Sequence, residues 1–160
     1  MKIIQEISRI EIVRRFSNHR DAKYFINHDF KHCYLIALTK DEYERLLMNS
    51  SPKEPYPKSL PLLKESIKHF LDEPGLFKIA HPDRGISGKT VNKYFREFKK
   101  GMQLNDCFVT DKRDGENSEG SYYICEGMHR LNAYGVYKKM DIQDYEVKVY
   151  YQTDKDSLVL

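Results

Sequence analysis

Cysteine is scarce in this 160-residue chain, and Cys33, Cys107 and Cys125 are an odd number without paired spacing. That argues against a disulfide framework and fits a reducing compartment. Two of the three sit in strand patterns, where cysteine behaves as a small buried apolar residue. Long apolar runs are also absent, so nothing reaches the length of a membrane span, and Arg9, Arg14 and Arg15 leave no apolar block for a signal peptide. The expectation is a soluble cytoplasmic protein with no membrane partner. Neither sign of charge dominates: 27 basic against 24 acidic residues leave +3 and a pI near 8.6, which does not demand a nucleic-acid partner. There is no internal repeat or low-complexity tract. A chain of this length buries roughly 70% of its unfolded surface, enough for one domain, 1–160.

A Walker-type phosphate loop is missing as well. Ser87-Gly88-Lys89-Thr90 resembles the end of one, but Asp83 stands where its first glycine belongs. The preceding Lys78-Ile79-Ala80 reads as a short, polar-flanked strand. Lys89 is kept as an auxiliary phosphate contact. Lys89, Lys93, Arg96 and Lys100 follow three- and four-residue steps and share one helix face. The plain account of that face is solvation, and the functional one is neutralisation of a polyphosphate by Lys89 or Lys93.

The informative stretch is Tyr122-Tyr123-Ile124-Cys125-Glu126-Gly127-Met128-His129-Arg130-Leu131-Asn132-Ala133-Tyr134. An apolar strand pattern ends in an acid and a glycine, and a helical pattern begins with His-Arg. Free backbone N–H groups, a helix N-terminus and a guanidinium thereby converge, an arrangement suited to a phosphate. Gly127 lets the backbone approach closely, and the planar fork of Arg130 can hold two oxygens. His129 either donates to a phosphate oxygen or braces the turn. Glu126 either holds Mg²⁺ and orients a substrate hydroxyl or caps the helix. The competing account of the whole stretch is an ordinary strand-turn-helix with exposed polar groups.

Glu126-Gly127-Met128-His129-Arg130-Leu131-Asn132-Ala133 resembles the Asp/Glu-Gly-x-His-Arg-x-x-Ala segment of the ParB/sulfiredoxin superfamily. The surroundings are similar too: a helix and glycine at 95–101, hairpin strands at 106–110 and 121–125, and a strand at 145–151. The resemblance covers about 89–151. It implies an α+β fold with a small mixed sheet and packed helices, this segment binding nucleotide phosphates through Gly127, Met128, His129 and Arg130. An N-terminal helical and strand extension, 1–60, would pack on that core, shape the substrate pocket or form a homodimer interface.

Two departures narrow the function. Sulfiredoxins carry a reactive cysteine between the glycine and histidine, and the thioether of Met128 cannot replace it. Partition proteins continue into a helix-turn-helix region, whereas the chain given ends at Leu160, so the nucleotide-binding core alone is expected, as in the ParB-like free serine kinases. The favoured activity is phosphoryl transfer from ATP or ADP, with Mg²⁺, to a small hydroxyl-bearing molecule. Glu126 and His129 would be catalytic, Glu126 the metal ligand, and Gly127, Met128, His129, Arg130 and Lys89 the nucleotide contacts. Asp83 is a candidate for a separate catalytic acid. The alternatives are a CTP-type nucleotide-gated or DNA-associated binding module without turnover, and a ParB-like nuclease; DNA is not the favoured partner.

The remaining elements follow from local patterns. Ile3, Ile4, Ile7, Ile10 and Val13 predict a helix to about Phe16, weakened by β-branching. A strand is expected at 33–38, then a Thr39/Glu42 capping box and a helix to about Met48. Residues 50–61 carry four prolines and read as a loop. A helix follows at 62–71, burying Leu63, Ile67, Phe70 and Leu71 and ended by Pro74-Gly75. Segments 81–88 and 112–120 read as loops. Most tyrosines read as half-buried sheet residues. His28, Asp29, His32 and Cys33 could be called a zinc cluster, but no second ligand pair lies at a zinc-like interval.

Overall fold

The isoleucine spacing over 1–16 predicts one helix, but the chain divides there into a strand, β1 (Lys2–Glu6), and a helix, α1 (Arg9–Phe16). Consecutive β-branched Ile3 and Ile4 suit an extended backbone, and the Ser8 hydroxyl accepts the Glu11 N–H to start the helix. This computed structural model describes residues 1–16, 30–53, 59–80, 86–113, 116–117 and 122–156. His28 and Asp29 of the zinc candidate, Asp83 and the middle of the 50–61 loop lie outside the described residues.

Next come β2 (His32–Ala37), α2 (Lys40–Glu44) and α3 (Leu63–Asp72). The capping box is present: Glu42 N–H donates to Thr39 Oγ1 at 3.2 Å, and Thr39 N–H to Glu42 Oε2 at 2.8 Å. The helix stops at Glu44, short of Met48, because Leu47 leaves it to bridge Leu62 and Tyr123. In α3, Leu63, Ile67 and Phe70 are buried as expected, but Leu71 is 38% exposed and Ser66 takes the inward place. A 3₁₀ turn (Pro74–Lys78) replaces the strand expected at 78–80 and leads to α4 (Gly88–Lys99).

The second half builds the sheet. β3 (Phe108–Thr110) is followed by a small two-stranded ladder, β4 (Lys112–Arg113) with β5 (Glu116–Asn117). Then come β6 (Tyr123–Glu126), α5 (Met128–Tyr137) and β7 (Lys148–Thr153). The order is β1-β2-β7-β3-β6, with β3 parallel to β7 and the other pairs antiparallel. The fold is thus α+β, a mixed five-stranded sheet with packed helices. The segment expected to pack on the core as an extension instead supplies two of its strands.

Apolar side chains on both faces of the sheet hold it together. Ile36, Val149 and Tyr151 meet Ile67, Phe70, Val91, Phe98 and Leu131 of the helices on one side. On the other, Ile12 and Phe16 of α1 cover Cys33, Phe108 and Tyr150, with Phe16 edge-on to Phe108 at 5.0 Å. Tyr150 and Tyr151 are fully buried rather than half-buried. A polar bridge crosses the core: Ser66 donates to Asn132 Oδ1 at 2.5 Å, and Asn132 Nδ2 donates to the Met128 carbonyl at 2.8 Å. Both partners are buried and satisfied, which ties α3 to the start of α5. Among the described residues no helix is long and apolar enough to cross a membrane.

Gly88 sets how closely α4 approaches the 3₁₀ turn. A Cβ there would lie 1.7 Å from the Leu76 carbonyl oxygen, which is backbone and cannot rotate aside. Gly88→Ala should therefore lower stability by about 2–3 kcal/mol, the scale of overpacking, read as a shifted urea midpoint. An unchanged midpoint would mean that α4 is free to move at this end.

Candidate functional site

The junction between β6 and α5 is built around Gly127. Its φ of 92° is in the left-handed region, and an added Cβ would sit 2.5 Å from Cys107 Sγ. Only glycine meets both demands. No side chain caps α5, so Glu126 does not play the capping role. The first helical backbone bond is Leu131 N–H to the Gly127 carbonyl at 2.8 Å, and the N–H groups of the first turn precede it.

Glu126 and Arg130 face one another across the junction, with Arg130 Nη2 3.2 Å from Glu126 Oε1. The guanidinium expected to stand open for phosphate oxygens is partly engaged within the chain. Nη1 donates to the Asn105 carbonyl at 2.8 Å and Nη2 to the Asp106 carbonyl at 3.0 Å. Both carbonyls lie just before β3, where Asp106 turns with a φ of 57°. Three of the fork's five N–H groups are used in this way. Arg130 and Glu126 also line a hollow of about 220 Å³ with Tyr94, Met102, Gln103, Asn105 and Asp106.

His129 points to α4. Its Nε2 accepts the Ser87 N–H at 2.9 Å, so the ring is neutral with its proton on Nδ1. Burial, and then the Arg130 charge, hold this imidazole below its usual range. Of the two roles expected for His129, the brace is the one seen, with a backbone N–H as its partner. The bond brings the N-terminal ends of α4 and α5 together. Ser87 is itself the N-cap of α4, accepting the Thr90 N–H at 3.3 Å.

Lys89 enters the neighbourhood through that contact. It lies in the first turn of α4 with an exposed side chain, while its N–H is spent on the Ile79 carbonyl at 3.2 Å. Met128 packs partly against the core, with the Ser50 hydroxyl 3.9 Å from its sulfur. Glu126, Gly127 and Arg130 are therefore assembled at one point, His129 joins them to α4, and Lys89 stands two residues beyond the joint. Among the described residues no group of three His, Cys, Asp or Glu side chains could hold a metal ion.

Sequence reasoning missed Ser87, the carbonyls of Asn105 and Asp106, and the buried Cys107 beneath Gly127. Only Ser87 carries a local signal, since a serine before a helical run is an N-cap pattern. Cys107 is buried and its thiol is pushed up to about 12, chiefly by burial, which makes it packing rather than a nucleophile. Comparison of the chain with family models, curated proteins and solved structures finds no match to any of them.

Two outcomes follow. Arg130→Ala leaves the Asn105 and Asp106 carbonyls without their donor and should cost about 2–3 kcal/mol of stability, the scale of hydrogen bonds to a charged group, measured by chemical denaturation. A cost within about 0.5 kcal/mol, typical of a bare surface position, would show that those bonds carry no weight. The depressed His129 contributes stability that is full above its unfolded value of 6.5 and is lost as pH falls through its lower native value. Acidification should then destabilise the parent more steeply than His129→Gln, whose amide accepts the Ser87 N–H without titrating. Parallel pH profiles would exclude this linkage.

Proposed function

We propose that the β6–α5 junction binds a nucleoside di- or triphosphate, ATP or ADP in the first instance and CTP as the alternative base, and that the chain transfers a phosphoryl group to a small hydroxyl-bearing molecule. The observation that carries this reading is the meeting of two helix N-termini at His129, with α5 uncapped above a left-handed glycine. N–H groups and helix dipoles there favour an anion. The remaining Arg130 N–H groups and the exposed Lys89 add positive charge.

Mg²⁺ fits the donor set in a limited way. It needs one or two carboxylates besides the phosphates themselves, and Glu126 and Asp106 both line the hollow beside Arg130. When bound, it would neutralise the charge that develops on the phosphoryl oxygens. The chain's own part is to position: backbone N–H groups hold phosphate oxygens, Arg130 and Lys89 compensate their charge, and Glu126 orients the acceptor hydroxyl and takes its proton. His129, neutral and held by Ser87, keeps the two helix ends in register. The resemblance to ParB-like kinases points the same way.

Thermal-shift titration with ATP, ADP and CTP, with and without Mg²⁺, is the direct test, because a ligand that binds only the native state raises its stability. At least one nucleotide should raise the melting temperature, and Lys89→Ala or a folded Arg130→Ala should weaken its binding by about 1.5–3 kcal/mol. ATP or ADP turnover should require a hydroxyl acceptor. Absence of any shift would overturn the reading. Binding without turnover, coupled to a change of oligomeric state, would replace the kinase by a nucleotide-gated module, and metal-dependent DNA cleavage would replace it by a nuclease.

A further inference from the structure

The exposed side of α4 carries Lys89, Lys93, Arg96, Lys99 and Lys100 against a single acid in the helix, Glu97. All five basic residues are exposed. Elsewhere exposed cations are spread over several elements. Some are ion-paired, as Lys40 with Glu44, Arg45 with Asp41 and Lys155 with Asp111, and others have no carboxylate in range among the described residues, as Lys64, Lys68 and Lys139. On α4 no carboxylate of the described residues lies within ion-pair distance of the five. Lys99 instead lies over the Phe95 ring at 5.1 Å. The opposite face is fully committed, with Val91 and Phe98 buried and Phe98 edge-on to Tyr134 at 5.3 Å.

We infer that this face of α4 is a docking surface for the phosphate backbone of a nucleic-acid strand. The spacing supports that occupant. Lys89 to Lys100 spans about 16 Å at 1.5 Å per residue. That is the axial length of about five nucleotide steps, at one phosphate per 3.4 Å of a strand. A row of cations of this length releases condensed counterions when it meets phosphates, and none of the five has a carboxylate partner among the described residues to give up first. The row is four lysines and one arginine, whose ammonium point charges and guanidinium fork suit phosphate oxygens, so the proposed contact is chiefly to the backbone. The inference does not rest on the proposed nucleotide site, and its test avoids Lys89 and Arg130.

Fluorescence anisotropy of the full chain with labelled single- and double-stranded 20-mers of DNA and of RNA, over a range of salt, reads the contact. Affinity should fall with salt with a log–log slope of about 3–4 for duplex, the value for the four cations Lys89, Lys93, Arg96 and Lys100, Lys99 being held over Phe95. The double variant Lys93→Glu with Arg96→Glu should bind at least about 10-fold more weakly and lose about two from that slope. Lys93→Gln with Arg96→Gln, the neutral pair, should lie between it and the parent. Comparison of the DNA and RNA arms identifies the strand. No affinity for any of them at low salt, unchanged binding by both variants, or equally tight binding of a polyglutamate of the same charge would overturn the assignment.

Discussion

The architecture of the site depends on one close approach, that of the Gly127 backbone to the Cys107 side chain. With a Cβ at position 127 the two would collide at 2.5 Å, and the φ of 92° would be strained as well. Because glycine is there, β6 can end flush against the start of β3, and α5 can begin within one residue of the strand. Everything beside the junction inherits that geometry. Arg130 reaches back over the carbonyls of Asn105 and Asp106, Glu126 meets it from the strand end, and the first turn of α5 is left without a side-chain cap.

His129 extends this arrangement to a second helix. A neutral imidazole that accepts a backbone N–H costs little to bury, whereas an imidazolium there would lose its bond to Ser87 and face the Arg130 guanidinium. The result is a brace between two positive helix ends that would otherwise repel weakly. An anion placed between them would relieve that repulsion, which is the physical basis for a phosphate at this point. The internal bonds of Arg130 cut the other way, because a guanidinium partly spent on carbonyls has fewer donors to offer. They also hold the fork still, so the donors that remain are oriented in advance.

Charge is distributed unevenly over the molecule. A net +3 hides a concentration of five exposed cations against one acid along α4. Lys89 belongs both to that row and to the first turn beside His129. A nucleotide site at the junction and a backbone track along the helix would thus be continuous, although each stands on separate observations.

Local patterns in the sequence determined the elements whose causes are local. The Thr39/Glu42 capping box, the α3 face of Leu63, Ile67 and Phe70, the Ser87 cap and the strand-glycine-helix order at 123–137 all rest on neighbours within four residues. The convergence of Glu126, Gly127 and Arg130 was legible for the same reason. Tertiary structure decided the rest. The stretch 1–16 became a strand and a helix because β2 offered an edge for Ile3 to pair with, and α2 stopped early because Leu47 was drawn into bridges with Leu62 and Tyr123. The His129–Ser87 bond spans 42 positions, and the carbonyls that occupy Arg130 lie 24 and 25 positions away. Partners so distant leave no periodic trace along the chain, so only packing could choose them.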